Sequence, residues 1–266
     1  MRRNILITGA SSGIGAATAA RLVASGHRVL ALSRRAPADD PAIAWEKCDV
    51  RSPIAVKSAV DRLLPADMPL WAAICNAGIG GPVASVEETE TADARDVFDT
   101  NYFGVVHVLR AVIPRLRAQR SGKVLVVGSL AGRVPLPFQS HYAASKAALE
   151  SLTFALRCEL KPFGVHVSLI EPGDIRTPIN DTVSAAGAAT SPYRSGIEPM
   201  VAAVHKDVAR APGPEVVVHQ IERVLNARQP DARYVVGPST TLVGLARRLF
   251  SDRVNLWMMR RHFGLD

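Results

Sequence analysis

The sequence predicts an α/β fold, a single domain built on a doubly wound parallel sheet of about seven strands with helices on both faces. Three observations predict it. Short, nearly continuous apolar runs alternate with longer segments of helical period, the pattern of buried parallel strands joined by helical crossovers. The first apolar run passes directly into a glycine-rich turn and then into a helical segment. The 266 residues contain no internal repeat and no linker-like stretch that would divide them.

The elements follow in order. Asn4–Thr8 reads as the first strand and Gly13–Ser25 as the first helix. Arg28–Leu32 and Ile43–Cys48 are the second and third strands, followed by a helix over Pro53–Leu64. Leu70–Cys75 is the fourth strand, and one long helix over Ala92–Arg117 leads to the fifth, Lys123–Gly128. A helix over His141–Lys161 precedes the sixth strand, Val165–Ile170. A last crossover helix, about Pro214–Asn226, leads to a short seventh strand, Arg233–Val236. Two stretches stand apart. Asp181–Pro214 is rich in Ala, Gly, Ser and Pro with weak periodicity, and is expected to be a mobile lobe beside the substrate site. Thr241–Phe263 carries a basic amphipathic helical pattern with a break near Asp252.

Composition narrows the function classes. The chain is 48% apolar with a net charge of +8, and the basic residues are dispersed without a recognition module, which argues against a nucleic-acid partner. No run of about 18 uncharged apolar residues occurs, so a membrane-spanning helix is not expected. Met1-Arg2-Arg3 and the following apolar run resemble the start of a signal peptide, but the run is short and breaks at Gly9. Cys48, Cys75 and Cys158 have no metal-ligand spacing and are expected to be reduced core residues, with the cytoplasm as the compartment and no metal site.

The glycine turn carries the first chemistry. In Thr8-Gly9-Ala10-Ser11-Ser12-Gly13-Ile14-Gly15, glycines let the backbone turn sharply between strand and helix, and the helix start offers unpaired N–H groups to a pyrophosphate. The spacing is G-x-x-x-G-x-G rather than G-x-G-x-x-G. Farther on, Tyr142 and Lys146 stand four apart on a helical pattern and share a face. An ammonium there is expected to lower the tyrosine pKa from its ordinary value near 10 toward a range useful for proton transfer. Ser129, just past the fifth strand, is placed to bond an oxygen where charge develops. Taken singly, each of these residues is more often a packing, capping or surface residue. His141, beside Tyr142, is read as such a bystander.

Together these motifs resemble the classical short-chain dehydrogenase/reductase family. The likeness runs over residues 4–178 through the glycine turn, Asn76-Ala77-Gly78, Asn101, Ser129, Tyr142-Ala143-Ala144-Ser145-Lys146 and Pro172-Gly173. It implies a Rossmann-type fold and a nicotinamide cofactor. It also implies that Ser129, Tyr142, Lys146 and Asn101 are catalytic, with Lys146 holding the nicotinamide ribose and Asn101 ordering a water between Lys146 and solvent. Cofactor contacts are expected from Gly9, Ser11, Ser12, Gly13, Ile14 and Gly15 at the pyrophosphate, Asp49 and Val50 at the adenine, and Asn76, Ala77 and Gly78 near its ribose. Pro172, Gly173, Ile175 and Thr177 are expected beside the nicotinamide.

The second strand ends in Ser33-Arg34-Arg35 with no acid, which favours NADP over NAD: a carboxylate would repel the 2′-phosphate, whereas these side chains can pair with it. Pro135-Leu136-Pro137-Phe138 and Pro162-Phe163-Gly164-Val165-His166-Val167 resemble the 17β-hydroxysteroid and retinol dehydrogenase branch, implying a lipophilic alcohol or carbonyl substrate. Its pocket is expected from Ala131–Gln139 and Asp181–Pro214. The alternatives are a 3-oxoacyl thioester reductase and a non-catalytic NADP(H)-binding regulator. The two long helices, Ala92–Arg117 and His141–Lys161, resemble the family's dimer-forming pair, which implies a homodimer or homotetramer, and the second bears apolar residues for two stripes, Leu149, Leu152, Phe154, Leu156 and Leu160. The C-terminal pattern is read first as a helix packed on its own domain or on a partner, and second as a peripheral attachment to an anionic membrane.

Overall fold

The computed structural model describes residues 2–185, 189–238 and 249–265. Seven parallel strands form one sheet: β1 Asn4–Thr8, β2 Arg28–Ser33, β3 Ile43–Lys47, β4 Ala72–Cys75, β5 Gly122–Val127, β6 Val165–Pro172 and β7 Arg233–Val236. Their order across the sheet is β3-β2-β1-β4-β5-β6-β7. The helices are α1 Gly13–Ala24, α2 Pro53–Leu63, α3 Thr91–Phe98, α4 Gly104–Gln119, α5 Ser140–Leu160, α6 Arg194–Arg210, α7 Glu215–Asn226 and α8 Asp252–His262. This is the doubly wound, Rossmann-type arrangement expected from the sequence, with its topological switch point between β1 and β4.

Period-two alternation in the strands builds a core on each face. Leu6, Val124 and Val126 point into one buried cluster with Val56, Val60, Val112, Leu149 and Leu156 from α2, α4 and α5. Ile5, Ile7, Leu125 and Val127 point the other way, into a cluster with Leu22 of α1 and Val217 and Ile221 of α7. Complete burial of each such side chain contributes about 1.5–3 kcal/mol. A third cluster, outside the sheet, gathers Val83, Val183, Ile197, Met200, Val201 and Phe263. Lys123, on β5, reaches the open end of α7, donating to the carbonyls of Val224 (3.3 Å), Leu225 and Ala227 (2.6 Å). It thereby caps the helix at its negative end.

Several expectations need correction. β3 is not a buried strand: it lies at the sheet edge, and Trp45, Glu46 and Lys47 give it a half-exposed pattern. The single helix expected over Ala92–Arg117 is interrupted by a π-helical turn, Asp99–Phe103, which inserts one extra residue and separates α3 from α4. The expected mobile lobe contains the 17-residue helix α6, whose Ile197, Met200 and Val201 are buried. Gly196 and Pro199 had masked its helical spacing. Cys48 and Cys75 are buried, but Cys158 is exposed on α5. The second large-residue stripe of α5 is absent from its outer face. Leu152 and Phe154 pack toward the core, and the exposed positions are Ser140, Ala144, Ala147, Ser151, Ala155, Cys158 and Glu159. Of the C-terminal pattern, residues 241–248 lie outside the described residues, and α8 begins at Asp252, where the break was expected. Among the described residues, no helix is long and apolar enough to cross a membrane.

Candidate active site

The site begins at the switch point. Thr8 Oγ1 accepts hydrogen bonds from the backbone amides of Asn76 and Ala77, each at 3.0 Å, and Asn76 Nδ2 donates to the Thr8 carbonyl at 3.0 Å. These bonds tie the ends of β1 and β4 together. Gly9 turns the chain out of β1 with φ +71°, a left-handed conformation that side chains disfavour, and a Cβ there would lie 3.0 Å from the Ala77 Cα. A Cβ on Gly15 would lie 2.1 Å from the Gly9 carbonyl oxygen, so only glycine allows the first turn of α1 to rest on the strand end. The Ser12 side chain makes no capping bond to α1, and no acid stands in the helix's first turn. Its N–H groups and positive dipole end therefore face the cavity.

That cavity has a volume of about 1140 Å³ and runs from Arg34 and Arg35 at one end to the inner side of α8 at the other. It brings together every expected site residue except Gly15 and Asn101. Gly15 is buried beneath the turn as a close-packing position. Asn101 is fully buried in the π turn, where its Oδ1 accepts from Ile79 N (2.8 Å) and its Nδ2 donates to Ile79 O (2.9 Å) and Ser145 Oγ (3.0 Å). It thus locks the loop after β4 to α5. A Cβ on Gly78 would lie 3.1 Å from Asn101 Oδ1 and 3.4 Å from Lys146 Nζ, so this glycine is where the two side chains converge. His141 does not line the cavity.

Tyr142 and Lys146 meet on the first turns of α5, with the ammonium nitrogen 5.7 Å from the centre of the phenol ring. The Ser129 hydroxyl, whose Oγ accepts from Ala131 N at 3.1 Å, lies beside the phenol and favours its ionised form. Lys146 Nζ donates to the Val127 carbonyl at 3.2 Å. Burial pushes Lys146 down to about 8. The expected lowering of the Tyr142 pKa is not observed: burial pushes the phenol above its ordinary value, and the neighbouring Ser129 hydroxyl opposes this without overcoming it. The ammonium stands over the ring instead of bonding the hydroxyl, so desolvation wins.

At the other end, Ser33 is buried, and its hydroxyl donates to the Arg35 carbonyl at 2.6 Å and accepts from Trp45 Nε1 at 3.0 Å. Arg34 and Arg35 are exposed at the rim. Asp49 is held below the usual carboxylate range first by its hydrogen bonds to Arg51 and, more weakly, by the Arg34 charge.

Sequence reasoning missed part of the lining. Val134, Leu136, Val183 and Val204 line the cavity as the expected segments allow, but Pro137 and Phe138 do not. Asp207 also lines it from the expected lobe, whereas Asp174 and six residues of the C-terminal region, from Asn255 to Phe263, were not expected there. His262 Nε2 lies 2.9 Å from Asp207 Oδ2, linking α8 to α6. The amphipathic period of the C-terminal segment was a visible signal, but the surface it covers is set by tertiary packing.

A parallel sheet with a glycine-turn cleft at its switch point, leading to a Ser–Tyr–Lys cluster, defines a dinucleotide-dependent oxidoreductase. Comparison with known proteins agrees. The sequence profile of the short chain dehydrogenase family matches residues 3–187. The chain is 33% identical over 238 residues to a 3-ketodihydrosphingosine reductase of Bacteroides thetaiotaomicron, covering 88% of this chain and 87% of that protein. It is 38% identical over 200 residues to human 17-beta-hydroxysteroid dehydrogenase type 1, covering 68% of this chain and 60% of that one. A short-chain dehydrogenase from Streptomyces avermitilis superposes with a TM-score of 0.80 at 26% identity, covering 98% of this chain and 96% of that structure. The chain belongs to the short-chain dehydrogenase/reductase family. It is an oxidoreductase of CH–OH groups, and its family uses a nicotinamide cofactor, NAD or NADP. The donor set fits such a group: an uncapped helix N-terminus for a pyrophosphate, and basic side chains at the far rim.

Glu171 was also missed. It lies just before Pro172-Gly173, is 1% exposed, and faces Arg233 Nε (3.3 Å) and Arg133 Nη1 (3.8 Å). Burial pushes its carboxyl up to about 7, with Arg233 and Arg133 opposing and Glu150 reinforcing. A folded-state value above the unfolded value near 4.5 means the native protein holds this proton more tightly, so stability falls as pH rises from about 4.5 to about 7. The interval corresponds to about 3 kcal/mol at most. Urea unfolding between these pH values should show this loss in the wild type and not in Glu171→Gln. Parallel pH profiles for the two proteins would show that Glu171 is already ionised across the range.

Proposed function

We propose that this chain is a single-domain, NADP(H)-dependent oxidoreductase interconverting a secondary or primary alcohol and its ketone or aldehyde, on a lipophilic substrate of steroid, retinoid or fatty type. The observation that carries the reading is the make-up of the cavity. Ser129, Tyr142 and Lys146 stand between a basic rim and a far end where apolar Val134, Leu136, Val183, Leu256, Met259 and Phe263 are interspersed with polar Asp174, Asp207, Asn255 and His262. The names of the relatives, a ketodihydrosphingosine reductase and a hydroxysteroid dehydrogenase, support the same substrate class.

In this reading the bound nicotinamide supplies or accepts the hydride. The turn from Gly9 to Gly15 would hold the pyrophosphate, Asp49 and Val50 the adenine, Asn76-Ala77-Gly78 its ribose, and Pro172, Gly173, Ile175 and Thr177 the nicotinamide. The hydroxyls of Ser129 and Tyr142, both lining the cavity, make a two-donor cradle for the substrate oxygen. Tyr142 is neutral at neutral pH and holds at its hydroxyl the proton that the oxygen receives during reduction. Lys146, with a value near 8, remains mostly cationic there and favours the phenolate as it forms. Asn101 positions the centre by holding the π turn against α5.

NADPH oxidation should be seen with at least one of a steroid ketone, retinal, 3-ketodihydrosphingosine and a short acetoacetyl thioester. Turnover of the thioester alone would favour a 3-oxoacyl thioester reductase, and turnover of none a non-catalytic NADP(H)-binding regulator. Tyr142→Phe should still bind NADPH but lose about 10²-fold or more in activity. Near-normal turnover of that variant would sink the mechanism.

Assembly as a homodimer or homotetramer through α4 and α5 is part of the same proposal, supported by the exposed small residues Ala144, Ala147, Ser151 and Ala155, which permit close helix approach. Light scattering at micromolar concentration should give a multiple of the monomer mass; a monomer would count against it.

The preference for NADP rests on Arg34 and Arg35. Because the Ser33 hydroxyl is already engaged by Arg35 and Trp45, the two guanidinium groups supply most of the recognition of a 2′-phosphate. Charge-assisted hydrogen bonds contribute about 1.5–3 kcal/mol each. Arg34→Ala should therefore weaken NADPH binding by roughly ten- to a hundredfold and leave NADH nearly unchanged, with the Arg34→Ala/Arg35→Ala pair doing so more fully. Binding titrations at fixed ionic strength decide it, and a wild type that prefers NADH overturns the assignment.

A further inference from the structure

The helix α8 has two different faces. Asp252, Asn255, Met259 and His262, at helical spacing, line the cavity, and Met259 and Phe263 pack against the cluster of Ile197, Met200 and Val201. The opposite face carries Val254, Trp257 and Arg261, again at helical spacing, with Phe250 one turn before them and Arg253 and Arg260 alongside. None of these six residues lines the cavity. Among the described residues, the large exposed apolar side chains concentrate here: five of eleven, Leu249, Phe250, Val254, Leu256 and Trp257, fall between positions 249 and 257. Trp257 is 50% exposed and Leu249 68%. A patch of this kind, unlike single exposed apolar residues, marks a binding surface.

The charge on that face identifies the partner. It carries Arg253 and Arg261, while the one acid of the helix, Asp252, lies on the cavity side. The Arg261 guanidinium stands 5.6 Å over the Trp257 ring, so cation and aromatic anchor act at the same level. Tryptophan and arginine side by side on an amphipathic helix match the boundary of an anionic bilayer, where the indole sits among headgroups and the cations meet lipid phosphate. A second copy of the chain suits the face poorly, because a two-fold contact would set its arginines against themselves.

We propose that the outer face of α8 docks the protein on an anionic membrane surface. Leu256 belongs to both faces: it is 53% exposed and also lines the cavity. The docked side is therefore continuous with the cavity wall. Docking itself does not rest on the proposed reaction, and it is read without turnover.

The experiment is co-sedimentation of the full-length protein with vesicles of phosphatidylcholine mixed with phosphatidylglycerol, and with vesicles of phosphatidylcholine alone. The wild type should pellet with the mixed vesicles at low salt, and less so as salt rises. Val254→Ser/Trp257→Ser and Arg253→Glu/Arg261→Glu should each lower partitioning by about tenfold or more, while circular dichroism and NADPH binding stay as in the wild type. Wild-type protein left in the supernatant, equal binding to both vesicle types, or wild-type partitioning of both variants overturns the proposal. So does a wild type that ignores vesicles but loses an oligomer when Val254 and Trp257 are replaced, which would make the face a contact between subunits.

Discussion

The seam between β1 and β4 is the constraint on which the rest of the site depends. The two halves of the sheet send their connections in opposite directions there, which opens a cleft and leaves strand ends unpaired. Thr8 closes the seam from one side by accepting two amides, and Asn76 closes it from the other by donating to the Thr8 carbonyl. Gly9 and Gly15 let the chain fold back over that seam with no side chain in the way. The helix end, the loop after β4 and Gly78 are all positioned from this knot. Gly78 in turn sets how closely Asn101 and Lys146 converge.

Burial of polar groups is tolerated only where a partner is supplied. Asn101 satisfies its amide on both sides, with Ile79 and Ser145, and this requires the π turn that splits α3 from α4. Lys146 is brought under the same roof with a backbone carbonyl as its acceptor, and its pKa falls to about 8 instead of collapsing. The tyrosine beside it moves upward. Even with Lys146 lowered, a neutral acid and a largely cationic lysine stand adjacent at neutral pH, the pair of states that the proposed reduction needs before proton transfer.

What was legible in the sequence is what local chemistry decides. The strands of the central sheet were visible because burial on both faces forces continuous apolar runs, and the glycine turn was visible because Gly9 and Gly15 sit where no other residue fits. The Tyr142–Lys146 pair was visible because four residues make one helical turn. Most failures come from tertiary context. β3 is the exception, because Glu46 and Lys47 in its second half were a local sign of an edge strand. The π turn leaves no periodicity of its own over five residues. In α6, Gly196 and Pro199 concealed a helix that the buried Ile197, Met200 and Val201 hold in place. The direction of the Tyr142 shift depended on how far the Lys146 nitrogen stands from the hydroxyl, which spacing alone does not specify.

The division of labour in the cavity follows from the same physics. Its cofactor end is made of strand termini and a helix N-terminus, whose geometry is shared by any chain that folds this sheet. Its far end is closed by α6 and α8, which lie outside the sheet and join it through the cluster around Ile197, Met200 and Phe263 and through the His262–Asp207 contact. Helices held this way can change their inward side chains without disturbing the seam at Thr8, so substrate choice is separated from the chemistry. The same attachment leaves one side of α8 free to face outward, and there the sequence places tryptophan and arginine rather than the lysine and glutamate of an ordinary solvated face. One helix thus lines the cavity on one side and carries an exposed apolar and basic face on the other.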